Sequence, residues 1–289
     1  PLNEYPWIDS LKLPEELKSL YVAEVENCRI EQEIRKSIPT LQNITDQVSL
    51  EVRDQYEHNP YPRWINTRLQ PKPHSIKKLS EYLNLKIYDK QIFNCESPEI
   101  LIAGCGTGQH PIETATLFEN SNVLAIDISL SSLAYAKRKS IELGISNIEY
   151  MHADILDLNR LNHQFDLIES SGVLHHMRNP LSGWKALVER MKPGGLIRIG
   201  LYSQLARQYI TKIREEIKGL NYSTNFEGIK SLRSNLIKSK LTHHRKLLSI
   251  GDFYSLSEFR DLLLHTQEHQ FTVPQLIEAL EKLELSFCG

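Results

Sequence analysis

The chain lacks most of the features that tie a protein to a membrane, an oxidising compartment or a polyanion. Its 289 residues include four cysteines, Cys28, Cys95, Cys105 and Cys288, with no C-x-x-C pair among them. That scatter argues against a disulfide framework or a zinc knuckle and fits a reducing compartment. No apolar run reaches the roughly 18–20 residues that a bilayer crossing needs. The N-terminus has no basic-then-apolar signal pattern. Charge of one sign is also missing: Lys+Arg total 34 and Asp+Glu 36, so nothing pulls the whole chain towards nucleic acid or a membrane. There is no internal repeat and no low-complexity segment. The expected location is cytoplasmic, with no membrane partner and no nucleic-acid partner. The eleven histidines are not spaced as a cation site, and no metal is expected. A first residue of Pro1 rather than Met reads as a processed or partial polypeptide.

What is present suffices for a large core, since 40% of the residues are apolar. Residues 1–97 read as a helical N-terminal region in which Leu17, Leu20, Tyr21, Glu24, Val25 and Cys28 share helical spacing. The Asn59-Pro-Tyr-Pro-Arg-Trp64 stretch cannot be helix interior, because its prolines remove donors and fix φ. Residues 98–202 alternate strand and helix. Strands are predicted at Glu99–Ala103, Val123–Asp127, Ile148–His152, Phe165–Glu169 and Leu196–Gly200. Helices are predicted from Pro111 to Phe118, from a Ser129 cap to Leu143, and through Leu181, Trp184, Leu187, Val188 and Met191 on one face. Lys192-Pro-Gly-Gly195 reads as a turn. This alternation implies an α/β fold with a doubly wound, mostly parallel sheet. Residues 203–262 are too long for a connection and read as a helical cap insertion. Residues 263–289 read as a helix at Val273–Leu283 and a sixth strand at Leu285–Phe287.

The stretch richest in chemistry is Glu99-Ile-Leu-Ile-Ala-Gly-Cys-Gly-Thr-Gly-Gln-His110. Its glycines fall as G-x-G-x-G at Gly104, Gly106 and Gly108, between a strand and a helix. Glycine lets a backbone turn sharply and approach a ligand closely. A dinucleotide fingerprint wants G-x-G-x-x-G, and Gln109 stands where its third glycine belongs. That argues against a nicotinamide-dependent oxidoreductase. Asp127 ends the second strand, where a carboxylate can accept bonds from two ribose hydroxyls; the plainer alternative is an exposed strand-end acid. Asp154 ends the third strand, and there the plainer alternative is a helix cap.

These segments occur in order from Glu99 to Gly195: the glycine loop, the acidic strand end, Ala153-Asp-Ile155, the Phe165-Asp-Leu-Ile168 strand leading to Val173-Leu-His-His176, and Lys192-Pro-Gly-Gly195. As an ordered set they resemble the successive motifs of class I S-adenosylmethionine-dependent methyltransferases, which have a Rossmann-like core. Val52–Trp64 and Asp252–His265 with Gln267–Phe271 are further similar to bacterial methyltransferase domains often fused to tetratricopeptide repeats. Any such repeats would lie outside this chain. The resemblance implies S-adenosyl-L-methionine as cofactor. It places Ala103, Gly104, Gly106 and Gly108 on the methionine portion, Asp127 and Ile128 on the ribose and nearby adenine, and Asp154 and Ile155 on adenine. Glu169, Ser170 and Gly172 would line the methionine carboxylate or the sulfonium. It also implies that a seventh, antiparallel strand is missing.

Methyl transfer is an in-line displacement, and a protonated acceptor also needs a base. Candidate bases are His175 and His176 after the fourth strand, His110 beside the glycine loop, and Glu268 and His269; for each, a purely structural role is the alternative. Tyr56, Tyr61, Arg63 and Trp64 form an aromatic and basic cluster that either walls the substrate or docks the N-terminal region. Lys230, Arg233, Lys238, Lys240, Arg245 and Lys246 form a basic run, read as the solvated side of helices whose Ile229, Leu232, Leu236 and Leu241 are buried; the alternative is a surface for RNA, phospholipid headgroups or an acidic protein. The expected function is methyl transfer to a protein, peptide or small-molecule acceptor. The alternative is a non-catalytic module that binds S-adenosylmethionine and serves interaction.

Overall fold

The computed structural model describes residues 2–58, 60, 62–220, 226–265 and 267–289. Its centre is a parallel sheet of β1 (Glu99–Ala103), β2 (Asn122–Asp127), β3 (Ile148–His152), β4 (Phe165–Ser171) and β5 (Met191–Gly200), in the order β3-β2-β1-β4-β5. Helices α1 (Glu15–Tyr21), α2 (Asn27–Lys36), α3 (Gln47–His58) and α4 (Ile76–Tyr82) precede it. Helices α5 (Gln109–Leu117), α6 (Leu130–Glu142) and α7 (Pro180–Val188) alternate with strands. The cap comprises α8 (Gln204–Lys218), α9 (Phe226–Lys238), α10 (Thr242–Leu247) and α11 (Leu256–Leu264), and α12 (Val273–Lys282) follows.

β1 is apolar without alternation because helices cover both faces of the sheet. Ile100 and Ile102 pack into one layer with Leu133 and Ala136 of α6. Leu101 and Ala103 face the other layer, with Trp184 and Leu187 of α7. The sequence therefore winds helices on both sides, as the alternation predicts. Ser129 caps α6 by accepting from Ser132 N–H, and Gly144 follows that helix with φ of 70°.

Three expectations need correction. Lys192–Gly195 is not a turn before the strand, and Met191 does not continue the helix face of Leu181 and Leu187, because α7 ends at Val188. β5 begins at Met191 opposite Phe165, and its register then jumps so that Leu196 faces Leu167. The added residues bulge out of the ladder while Lys192 Nζ holds Asp166 at 2.8 Å. Leu285–Phe287 forms no strand. Glu284 turns the chain with φ of 55°, and Cys288 C=O then accepts from Lys86 N–H at 2.7 Å, beside the N-terminal region rather than β5. Among the described residues β5 is thus the sheet's outer edge. Finally, of the expected N-terminal helical face only Val25 is buried, while Leu17 and Leu20 are exposed. A widened π-type turn at Val22–Glu26 between α1 and α2 breaks the periodicity.

The cap has a core of its own, in which Ile213, Leu232, Leu247, Phe253 and Phe259 meet. Ile229, Leu232 and Leu236 are buried as the basic run predicts, but Leu241 is exposed because it precedes α10 rather than lying within a helix. Arg233 lies over the Phe259 ring at 5.4 Å and donates to Tyr254 C=O at 3.1 Å, so part of the run covers the cap core. None of the described helices is long and apolar enough to cross a membrane.

Candidate active site

Strand order reverses between β1 and β4, and a cavity of about 600 Å3 opens beyond the carboxyl ends of these strands. That is where open α/β sheets bind ligands. One wall is the loop after β1. Gly104 has φ of 77°, and a Cβ there would lie 2.1 Å from Val173 Cγ2 in the loop after β4. Gly108 caps α5 with φ of 88°, and its Cβ would meet Ala136 of α6 at 2.4 Å. The two glycines press the loop against its neighbours and leave Gly104, Cys105, Gly106 and Thr107 lining the cavity.

Asp127, at the end of β2, is buried and locked. Its Oδ2 accepts from Gly106 N–H at 2.7 Å and its Oδ1 from Ser129 N–H at 2.9 Å. Burial raises its pKa to about 6 against the lowering effect of these backbone donors. Each oxygen keeps acceptor capacity on the cavity side, which suits a diol. Asp154 lines the same cavity and also caps a short 3-10 turn by accepting from Leu156 N–H at 3.0 Å. Burial raises its pKa, opposed by Ser49 of α3. Ile128 and Ile155 supply apolar walls, and Val48 and Val52 of α3 close over them.

Residues 100–195 match the family model described as a methyltransferase domain. The chain carries a class I S-adenosylmethionine-dependent methyltransferase domain. An uncharacterised Synechococcus protein is 29% identical over 201 residues, which are 66% of this chain and 48% of that protein. Malonyl-[acyl-carrier protein] O-methyltransferase 2 of Ilyobacter polytropus is 29% identical over 167 residues, 55% of this chain and 60% of that enzyme. PKMT2 of Rickettsia typhi shares the fold with a TM-score of 0.57 at 19% identity, covering 75% of this chain and 44% of that one. The chain therefore spans less than two thirds of each of these relatives.

The methyltransferase domain's cofactor end fits S-adenosylmethionine on its own geometry. The glycine loop leaves backbone rather than side chains against the cavity, and Asp127 presents acceptors. His110 and Arg198 line the cavity too, and both contact Glu169 of β4. Burial would raise the pKa of Glu169, but His110 and then Arg198 outweigh it and hold the group below the usual carboxylate range.

The opposite end of the cavity is built by residues distant in sequence. Tyr56 of α3 donates to Asp261 Oδ1 of α11 at 2.7 Å, joining the N-terminal region to the cap. His176, Met177 and Tyr202 complete this end. Burial lowers the His176 pKa against the opposing pull of Gln267 C=O and Asp261, so the ring is neutral. Its Nδ1 lies 2.7 Å from Gln267 C=O, which makes Nδ1 the protonated atom and leaves the lone pair on Nε2.

The other candidates divide clearly by position. His175 is fully buried behind the wall, stacked on Tyr202 at 3.9 Å, with both ring nitrogens unpartnered among the described residues. Burial and then His176 lower its pKa to about 3. Glu268 is held by Arg207 at 2.5 Å and Arg214 at 2.8 Å, which outweigh its burial and keep it ionised. His269 bonds the Gln267 side chain at 2.9 Å. These three do not line the cavity, whereas His176 and His110 do. Ala103, Gly108, Glu169 and Ser170 support the cavity from behind, and Gly172 lines it. Trp64 turns away: it donates to Thr107 C=O at 3.0 Å and meets the Tyr135 ring edge-on at 6.2 Å. Arg63 lies 5.9 Å from the same ring. Both therefore dock the N-terminal region, Tyr56 lines the cavity, and Tyr61 lies outside the described residues. Tyr202 and Asp261 were not singled out by sequence. Tyr202 follows β5 and Asp261 sits in Ser257-Glu-Phe-Arg-Asp261, so only their position at element ends or on the cap signals a role.

Proposed function

We propose that the chain transfers a methyl group from S-adenosylmethionine to a protein, peptide or small-molecule acceptor, with His176 as the base. One observation carries this reading: a single cavity runs from the Gly104–Asp127 end to the neutral ring of His176. S-adenosylmethionine, when bound, supplies an electrophilic methyl on a sulfonium. Gly104, Gly106, Asp127, Ile128, Asp154 and Ile155 would hold it. Tyr56, Tyr202 and Asp261 narrow the acceptor end, orient the nucleophile and exclude water. His176 Nε2 takes the acceptor's proton. Gln267 C=O keeps its hold on Nδ1–H, and Asp261 favours the resulting positive ring.

Calorimetric titration with S-adenosylmethionine and S-adenosylhomocysteine, beside an Asp127→Ala variant, tests the cofactor half. Binding should fall at least about tenfold in the variant, since a carboxylate accepting from hydroxyls is worth roughly 1.5–3 kcal/mol. No binding by the folded wild-type chain would sink the reading. Binding without labelled methyl transfer across an acceptor screen would support the non-catalytic module instead.

A further inference from the structure

We infer that His265 is a positioning residue that acts on His176 through the peptide backbone of Gln267. The inference rests on His176 being the base. The two imidazoles are stacked, with ring centroids 3.6 Å apart and planes 21° from parallel. Gln267 touches both. Its C=O lies 2.7 Å from His176 Nδ1, and its N–H donates to His265 Nδ1 at 3.2 Å. One residue's backbone thus imposes opposite tautomers. His176 carries its proton on Nδ1 and presents a lone pair on Nε2, while His265 carries its proton on Nε2.

His265 is buried, and its Nε2–H has no partner among the described residues. Leaving such a donor unmade is costly, and a phenylalanine would fill the space without that cost. Burial, and then the neighbouring His176, push the His265 pKa down to about 2, so the ring stays neutral and cannot protonate its neighbour. What the imidazole supplies that phenylalanine would not is the Nδ1 lone pair. That lone pair anchors the Gln267 N–H, and the anchored residue aims its C=O at His176. Which nitrogen of a functional histidine is basic is set by the bond the other nitrogen makes. Here that bond is made by a carbonyl whose own position is fixed by a second histidine.

A ring nitrogen of His176, one of His265 and a carboxylate oxygen of Asp261 lie within 4.8 Å of one another, a spacing that could hold a cation. The donor set does not fit one. Coordination through His265 Nε2 would need that proton removed while Nδ1 still accepts from Gln267, leaving an imidazolate.

The test is the nitrogen-15 spectrum of the histidine rings at neutral pH, recorded on the whole chain as wild type, His265→Phe and His265→Asn. The Asn amide oxygen can stand where Nδ1 stands and accept from Gln267 N–H. In the wild type, His176 should be the Nδ1–H tautomer and His265 the Nε2–H tautomer. In His265→Phe the His176 ratio should shift about tenfold towards Nε2–H, the value of one hydrogen bond, and His265→Asn should restore it. Thermal unfolding recorded alongside identifies a variant that has lost its fold, and the wild-type tautomers then decide alone. The proposal is overturned if both wild-type rings share a tautomer, if folded His265→Phe leaves His176 unchanged, or if added Zn2+ removes the His265 Nε2 proton. These readings need no turnover, so an inactive chain would fail the base assignment without touching them.

Discussion

The two ends of the cavity are built from different kinds of information. The cofactor end comes from a short stretch of chain whose chemistry is mostly backbone: glycines with positive φ, a strand-end carboxylate and a capping aspartate. The opposite end, which we propose receives the acceptor, comes from side chains that only the tertiary fold brings together, Tyr56, His176, Tyr202 and Asp261. Backbone requirements leave a local pattern, because a turn needs its glycine wherever it occurs. A side-chain constellation leaves none, because its members come from α3, the turn after β4, the end of β5 and α11, and owe their proximity to tertiary packing.

The largest effect should come from spoiling the backbone end. Gly104→Val combines an unfavourable φ of 77° with a Cβ 2.1 Å from Val173 Cγ2. Such combined strain costs about 2–4 kcal/mol. Calorimetry should show no cofactor binding, and the melting temperature should drop. Adding Val173→Ala should recover part of the melting temperature, since the clash goes and the strained φ stays. Equal melting temperatures for Gly104→Val and wild type would refute the close approach.

Next comes the acceptor end. His176→Asn keeps a donor for Gln267 C=O but removes the basic lone pair. Turnover should fall about 10²–10⁴-fold, the usual contribution of general-base catalysis. Cofactor affinity should be unchanged in the same preparation. If affinity fell along with turnover, the two ends would not be separable.

Legibility followed the same division. β1 and β3 were readable to the residue because both sheet faces are covered and the strands are bounded by turn signals. Asp127 stood out because it ends β2, and Asp154 because it follows the end of β3. The Leu285–Phe287 stretch looked like a strand because strand propensity is local, whereas pairing depends on which backbone lies alongside, and Lys86 lies there instead. Among the histidines, sequence could not separate His176 from its neighbour His175. Adjacent residues in a short 3-10 turn point different ways, so one lines the cavity and the other stacks on Tyr202. Trp64 matched an aromatic wall in composition, but its indole N–H is used on the glycine loop's outer side.

The smaller pH effect belongs to the cofactor end. Asp127 in the free chain has a pKa of about 6. If Asp127 holds the ribose as proposed, its ionised form accepts from the hydroxyls, so below about pH 6 a proton must be lost on binding, and affinity should weaken by up to about tenfold per pH unit. Stability runs the other way. The folded pKa lies above the ordinary carboxylate value of 3.8, so the native state holds the extra proton. This group's contribution to stability is therefore full below about pH 4 and is lost as pH rises through 6. Titrations from pH 5 to 8 on wild type and Asp127→Asn should show the affinity slope only in the wild type. The same slope in Asp127→Asn would assign it to another group.

The mildest test is Tyr56→Phe, which probes the bond bridging the N-terminal region and the cap. Burial, and then Asp261, raise the Tyr56 pKa well above its ordinary value, so the phenol is a pure donor to that carboxylate. Removing it should cost about 1–2 kcal/mol, or about five- to thirtyfold in acceptor KM, since Asp261 is left in place but freer to move. Cofactor affinity should stay put, because the lost bond lies at the acceptor end. Val48, Ser49 and Val52 on the same helix also line the cavity, and Ser49 bonds Asp154. If Tyr56→Phe weakened cofactor and acceptor binding equally, α3 would be acting as one rigid lid, and the cavity would have one end rather than two.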